Sequence, residues 1–215
     1  MKYSGIVWDY LKRFTILFSG LFLCGVGVVF TVRAGLGVSP WDVFHIGITN
    51  HLPITMGRVQ QLTGLIIILL TIVFTKRYPK IGTFLNMFFI GFFVDRVISW
   101  NIIHPALPGL LQYLYLITGV LLLGTGSGLY LSAKLGAGPR DGLMLYLTQR
   151  FNMRVRTIRT IMEVMVVITG FILGGPVGRG TVIVSLSIGT VVETALHVFR
   201  KLVSDEPKAI EVKVK

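Results

Sequence analysis

The chain has 215 residues, 53% hydrophobic and only 14% charged, with a mean hydropathy of +0.77. A soluble domain carries about 25% charged residues, so this composition belongs in a membrane and excludes a soluble enzyme, a nucleic-acid binder and a secreted disulfide scaffold. The net charge of +12 then becomes a question of where Lys and Arg sit, and the single cysteine, Cys24, can build neither an intrachain disulfide nor a cysteine metal site.

The first apolar run holds 19 uncharged residues between Arg13 and Arg33. It outlasts the roughly 7–15 residues of a signal-peptide core, so a span that stays in the membrane is expected rather than a cleaved leader. Charged and Pro/Gly-rich turns divide the chain into six predicted spans, at about 14–34, 57–75, 81–100, 111–133, 157–174 and 180–199. Each approaches the ~20 residues needed to cross ~30 Å of hydrocarbon. The fifth is short and opens with Arg159 and Glu163, and the third and sixth carry Asp95 and Glu193. Segments 35–56 and 134–156 separate spans but are too long for simple turns.

Those two segments begin alike, with Gly35-Leu-Gly-Val-Ser-Pro-Trp-Asp42 and Lys134-Leu-Gly-Ala-Gly-Pro-Arg-Asp141. Ser39 suits an N-cap, Pro40 suits the first helical position where its missing N–H would go unpaired, and Asp42 stands where a carboxylate reaches back. Gly138, Pro139 and Asp141 repeat the pattern. A helix from Pro40 to Leu52 measures only ~20 Å, too short to span, which predicts a short re-entrant or interfacial helix in each segment.

A shift of 99 residues places Gly20, Gly25, Gly27, Ala34, Leu36, Gly37, Pro40 and Asp42 on identical residues within a stretch of 23 positions. At a shift of 98, Gly82-Thr83 meets Gly180-Thr181, Ile90-Gly91 meets Ile188-Gly189, and Asp95 meets Glu193. The expected fold is therefore an all-α polytopic membrane protein of two three-span repeats: a cytoplasmic segment 1–13, a first repeat 14–100, a second repeat 111–199 and a cytoplasmic tail 200–215. Three spans per repeat invert the second relative to the first. With both termini inside, 17 Lys and Arg fall on inner segments and four, Arg33, Arg58, Arg96 and Arg179, on outer ones, in line with the positive-inside rule.

Asp42 and Asp141, with Ser39, Trp41, Gly138 and Arg140 beside them, are the expected substrate- or ion-binding residues, since an inverted pair of broken helices is how many secondary transporters build a site. The bland alternative makes both aspartates capping acids in separate loops. Glu163 has Arg159 one helical turn before it, which predicts an ion pair; Asp95 and Glu193 are candidates for interfacial anchoring or for proton or cation coupling. Glycines such as Gly124 and Gly128 show small-xxx-small spacing and serve either intrachain packing or a homo-oligomer. The histidines His45, His51, His104 and His197 fall in no ligand spacing, so no metal is expected. No hydrolase signature or phosphate loop is present, so neither a catalytic set nor a cofactor is expected.

Residues 35–44 (Gly-Leu-Gly-Val-Ser-Pro-Trp-Asp-Val-Phe), 136–144 (Gly-Ala-Gly-Pro-Arg-Asp-Gly-Leu-Met) and 173–181 (Leu-Gly-Gly-Pro-Val-Gly-Arg-Gly-Thr) resemble the YczE/YitT-type bacterial integral membrane proteins. The resemblance runs over about residues 10–200 and is nearer the YczE branch, because no soluble domain of the YitT sort follows Ser204. It implies a multi-pass protein of the bacterial cytoplasmic membrane and supplies no substrate. The residues themselves point first to a secondary transporter for a small solute or ion, proton- or cation-coupled, with the lipid bilayer and no nucleic acid as partner. The second expectation is a non-transporting scaffold that recruits a cytoplasmic partner through the basic 150–159 stretch and the tail. Transport needs Asp42 and Asp141 on one wet cavity; a scaffold leaves them in separate loops.

Overall fold

The computed structural model describes residues 2–203 and is all-helical there. In chain order the helices are α1 (Lys2–Ala34), α2 (Pro40–Thr49), α3 (Met56–Thr75), α4 (Ile81–Trp100), α5 (Leu110–Ser132), α6 (Pro139–Phe151), α7 (Val155–Ile172) and α8 (Arg179–Phe199), followed by a 3-10 turn at Arg200–Leu202. Five of them, α1, α3, α4, α5 and α8, are long and apolar enough to cross a membrane. The fifth predicted span, α7, falls outside that set because its 18 residues include Arg156, Arg159 and Glu163. The molecule is thus a polytopic membrane protein, and the rest of the predicted tail, 204–215, lies outside the described residues.

Local chemistry sets the helix ends. Ser39 caps α2 by accepting the Asp42 N–H, with Pro40 in the first turn. Thr55 does the same for α3 through the Arg58 N–H. Helices α3, α4 and α6 stop at Lys76, Asn101 and Asn152, each with φ near +50°, a left-handed closure that hands a last-turn carbonyl an extra donor. Two boundaries depart from expectation. Helix α2 ends at Thr49 rather than reaching Leu52, since Pro53 biases Leu52 away from helical backbone. Helix α1 runs back through the segment assigned to a separate cytoplasmic stretch. There Arg13 is fully buried, donating to the Ala133 carbonyl at 3.2 Å and pairing with Asp9 at 2.8 Å, a cation at the carbonyl end of α5 where it is favoured.

The core is organised around the antiparallel pair α1 and α5. Gly20 lies against Gly126 and Tyr130, and Gly27 against Gly119 and Leu123, so closely that an added Cβ would sit 2.6–2.8 Å from backbone atoms. This is the close approach that small residues permit between helices in lipid, where apolar burial no longer drives association. Helix α4 runs parallel to α1, with Phe18 on Phe89 at 4.7 Å and Phe22 on Phe93 at 5.4 Å between ring centroids. Helix α8 runs parallel to α5, through Gly124 on Val191 and Gly128 on Ala195. Buried Leu17, Leu21, Cys24 and Tyr130 fill one side of the seam, and Leu116, Val120 and Val184 the other.

Matched sequence positions make matched contacts. The Gly82 N–H in the first turn of α4 donates to the Leu135 carbonyl at 3.0 Å, and the Gly180 N–H in the first turn of α8 donates to the Leu36 carbonyl at 2.6 Å. Gly37 and Gly136, at φ +100° and +139°, let those loops fold down onto the α8 and α4 starts, beside Thr181 and Thr83. Helix α2 packs on α7, and α6 on α3.

Candidate functional site

Between these elements lies a cavity of about 270 Å³ that draws residues from both matched segments: Ser39, Trp41 and Asp42 from one, Gly138, Arg140 and Asp141 from the other. Cys24 and Leu123, in the interior of α1 and α5, line it as well, and the Cys24 thiol reaches the Leu123 carbonyl at 3.6 Å. All six residues expected to bind substrate or ion therefore surround one space.

Asp42 is 3% exposed and well supplied with donors. The Ser39 hydroxyl donates to Oδ2 at 2.6 Å, Gln60 Nε2 donates to Oδ1 at 3.0 Å, and His45 Nδ1 lies 3.3 Å from Oδ1. Donation from His45 to the carboxylate places its proton on Nδ1. Asp141 reaches back as the capping pattern predicted: its Oδ2 accepts the Gly138 N–H at 3.2 Å. Capping and facing the cavity are compatible, because a first-turn carboxylate presents its second oxygen away from the helix. Arg140 stands over the Trp41 ring, its Cζ 4.4 Å from the centroid, and interacts electrostatically with both Asp42 and Asp141. Trp41 and Arg140 are matched by the 99-residue shift, and the aromatic face of one segment is stacked on the cation of the other.

The α7 residues Arg159 and Glu163 also line the cavity and form the expected ion pair, Nε to Oε1 at 2.9 Å. Asp95 and Glu193 do not join it. Asp95 accepts the Thr55 hydroxyl at 2.5 Å and the Gly57 N–H at 2.9 Å, fastening the start of α3 to α4, while Glu193 is exposed on α8. The 98-residue shift that matches them gives them no shared place in the site.

Four lining or adjoining residues were not singled out by motif: Gln60, Asn86 and Tyr130 at the cavity wall, and His45 behind Asp42. Their signal was present in the sequence as a polar group set in an apolar helix, which costs free energy unless something pairs with it. Two of them keep buried polar atoms without a partner among the described residues, His45 Nε2 and Gln60 Oε1, while Asn86 and Tyr130 engage one another. No His/Cys/Asp/Glu group among the described residues has metal-binding geometry.

A second cavity of about 580 Å³ lies between the end of α3, the α3–α4 loop and α6, lined by Thr71, Arg77, Lys80 and Tyr146. Gly138 and Pro139 line both cavities, so the first turn of α6 is the partition between them.

Residues 11–197 match a family described as a family of unknown function, DUF6198. The "Uncharacterized membrane protein YczE" of Bacillus subtilis is 38% identical over 190 residues, 87% of each chain. The chain belongs to the YczE-type family. An "Uncharacterized protein" of Haemophilus influenzae is 36% identical, over 89% of this chain and 86% of its own, and the "Uncharacterized protein YyaS" of Bacillus subtilis is 27% identical, over 86% and 90%. No solved structure matches the chain. Both motif segments of this YczE-type protein, and the cavity they enclose, fall within the matched residues.

Proposed function

We propose that this YczE-type protein is a secondary transporter that moves a small solute across the bacterial cytoplasmic membrane, with proton or cation coupling. The observation that carries the reading is the single cavity in which the two matched helix starts, each with its carboxylate, meet at the middle of α1 and α5. Polar backbone at that depth is tolerated where it is buried or lines an aqueous space, and a scaffold has no use for bringing Asp42 and Asp141 together. In this reading α7 crosses as a sixth span beside the five apolar ones, and the halves form an inverted repeat. The antiparallel α1–α5 pair supports the inversion. So do the reciprocal Gly82–Leu135 and Gly180–Leu36 bonds, and the meeting of matched positions at Cys24–Leu123 and Trp41–Arg140 is what a two-fold axis between them would give.

Alternating access needs the two sides of the site to differ, and they do. Gly47 of α2 and Gly170 of α7 press together, a Cβ on Gly47 falling 2.7 Å from the Gly170 carbonyl oxygen. Tyr146, which the 99-residue shift matches to Gly47, lines the larger cavity on the opposite side together with Thr71. With the termini inside, the basic α3–α4 loop and the cavity beside it are cytoplasmic, and on this reading the conformation is closed outward and hollow inward.

The test is transport by the purified full chain in proteoliposomes carrying a pH-sensitive dye, challenged with gradients of small amines, carboxylates, amino acids, Na⁺ and K⁺. Wild type responds to at least one gradient, and the folded Asp42→Asn/Asp141→Asn double variant does not. Wild-type vesicles inert to the whole set refute the reading.

A further inference from the structure

Resting on the transporter reading, the charges and orphan hydrogen-bonding atoms of the central cavity select among solutes. Its wall holds three carboxylates, Asp42, Asp141 and Glu163, against two guanidinium groups, Arg140 and Arg159. Glu163 is paired with Arg159. Asp42 is surrounded by Ser39, Gln60 and His45. Asp141 receives only the Gly138 N–H among the described hydrogen bonds, shares Arg140 with Asp42 and also feels Arg159. With His45 neutral beside Asp42, the wall carries one more carboxylate than cation.

One neutral group agrees with that sign. Gln60 is 8% exposed, and its amide cannot be turned over, because Nε2 must face the Asp42 carboxylate. Its Oε1 is thereby committed as an acceptor, and it has no donor among the described residues. Asn86, 6% exposed at the same wall, is engaged with Tyr130 and commits to neither sign. A buried polar atom left unpaired is costly, so a ligand that fits brings N–H donors for Gln60 and Asp141.

We infer that the cavity takes a small organic monocation with N–H donors, a protonated amine or guanidinium compound, in preference to a carboxylate or phosphate. Its 270 Å³ suits a compact solute, lying just below the ~300–1,000 Å³ of pockets that hold drug-sized ligands.

The experiment is thermal unfolding of the detergent-purified full chain, at fixed ionic strength, against ethanolamine, glycinamide and guanidinium as cations with N–H donors, tetramethylammonium as a cation without them, and glycolate and phosphate as anions. Saturable stabilisation by at least one N–H cation, and by neither anion nor tetramethylammonium, is expected. Asp141→Asn and Gln60→Leu weaken the apparent Kd roughly tenfold or more, the loss of a charge-assisted or otherwise unreplaced hydrogen bond, while Glu193→Gln, outside the cavity, leaves it unchanged. Stabilisation by glycolate or phosphate that disappears in Arg140→Gln overturns the cation and leaves the transporter standing. Tetramethylammonium acting as well as ethanolamine overturns the donor requirement. Stabilisation on lowering the pH alone, lost in Asp141→Asn, makes a proton the occupant and also overturns the organic cation. A wild type indifferent to every probe and to pH, and inert in vesicles, brings down both readings. The comparison of cations with anions on wild type decides the class even where a variant fails to fold.

Discussion

Replacing Gly20 by Ala tests the close α1–α5 seam on which the cavity depends. The new Cβ would stand 2.6 Å from Tyr130 N, 2.7 Å from Gly126 O and 2.9 Å from Tyr130 Cβ, and two of those three atoms are backbone, which no rotamer change can move. Relief to ~3.5 Å requires the helices to part by nearly 1 Å, and a gap of ~0.5–1 Å forfeits a quarter to a half of each dispersion contact it opens. The loss extends along Leu17, Leu21, Cys24 and Tyr130, buried on that seam. Overpacking of this kind costs about 1–3 kcal/mol, offset by the ~0.5–1 kcal/mol that Ala gains over Gly within a helix, so a net destabilisation of about 1–2 kcal/mol is expected. Gly142→Ala in α6 is the control, because nothing lies within 4 Å of its added Cβ, and it is neutral or slightly stabilising. The double variant Gly20→Ala/Gly126→Ala loses less than the sum of the two single losses, since one parting of the helices relieves both. Tryptophan fluorescence during SDS-induced unfolding in mixed micelles measures all four proteins. Wild-type stability in Gly20→Ala, or equal losses in Gly20→Ala and Gly142→Ala, would refute the seam as described.

Three further outcomes follow from named contacts. Arg140→Lys keeps the charge but loses the planar group over Trp41, on the order of 1–2 kcal/mol for a desolvated cation–π contact; vesicle transport drops about tenfold, and an unchanged rate counts against the stack. Asp95→Asn gives up its charge-assisted bonds to Thr55 and Gly57 and costs about 1–3 kcal/mol in stability, with cation stabilisation at the cavity preserved; loss of that response at unchanged stability would return Asp95 to the coupling role. In a Cys24→Ala background, Gln149→Cys reacts with a membrane-impermeant maleimide from the cytoplasmic side and His51→Cys from the outer side; labelling of both from one side contradicts the topology.

The features legible in the sequence are those decided within a few residues. Ser39, Pro40 and Asp42 announce a helix start because capping is a contact across three positions, and Arg159 with Glu163 announces an ion pair because one turn separates them. The matched glycines were visible as a pattern, although their partners across the seam were not. What escaped depended on distant chain. The lysines and Arg13 near the start argued for a segment outside the membrane helix, yet Arg13 is accommodated by a carbonyl 120 residues away. Asp95 and Glu193 match at a shift of 98, but Gly57 brings its backbone to Asp95, and among the described residues no such bond is made to Glu193. Gln60 and Asn86 belong to no motif; each is an amide inside an apolar helix, and only the fold shows that both border the same space.

The exchanged bonds between Gly82 and Leu135 and between Gly180 and Leu36 also bear on how the chain is made. A ribosome delivers α1 to α4 before residue 135 exists, so the newly inserted first half holds an N–H at the start of α4 and a carbonyl at Leu36 whose partners are still unsynthesised. A backbone group buried without its partner costs free energy, which keeps that half unsettled at both points until the second half arrives to close them. The pairing is mutual, so two separately translated halves carry the means of finding one another, and a chain cut in the 101–109 connection retains what it needs to reassemble.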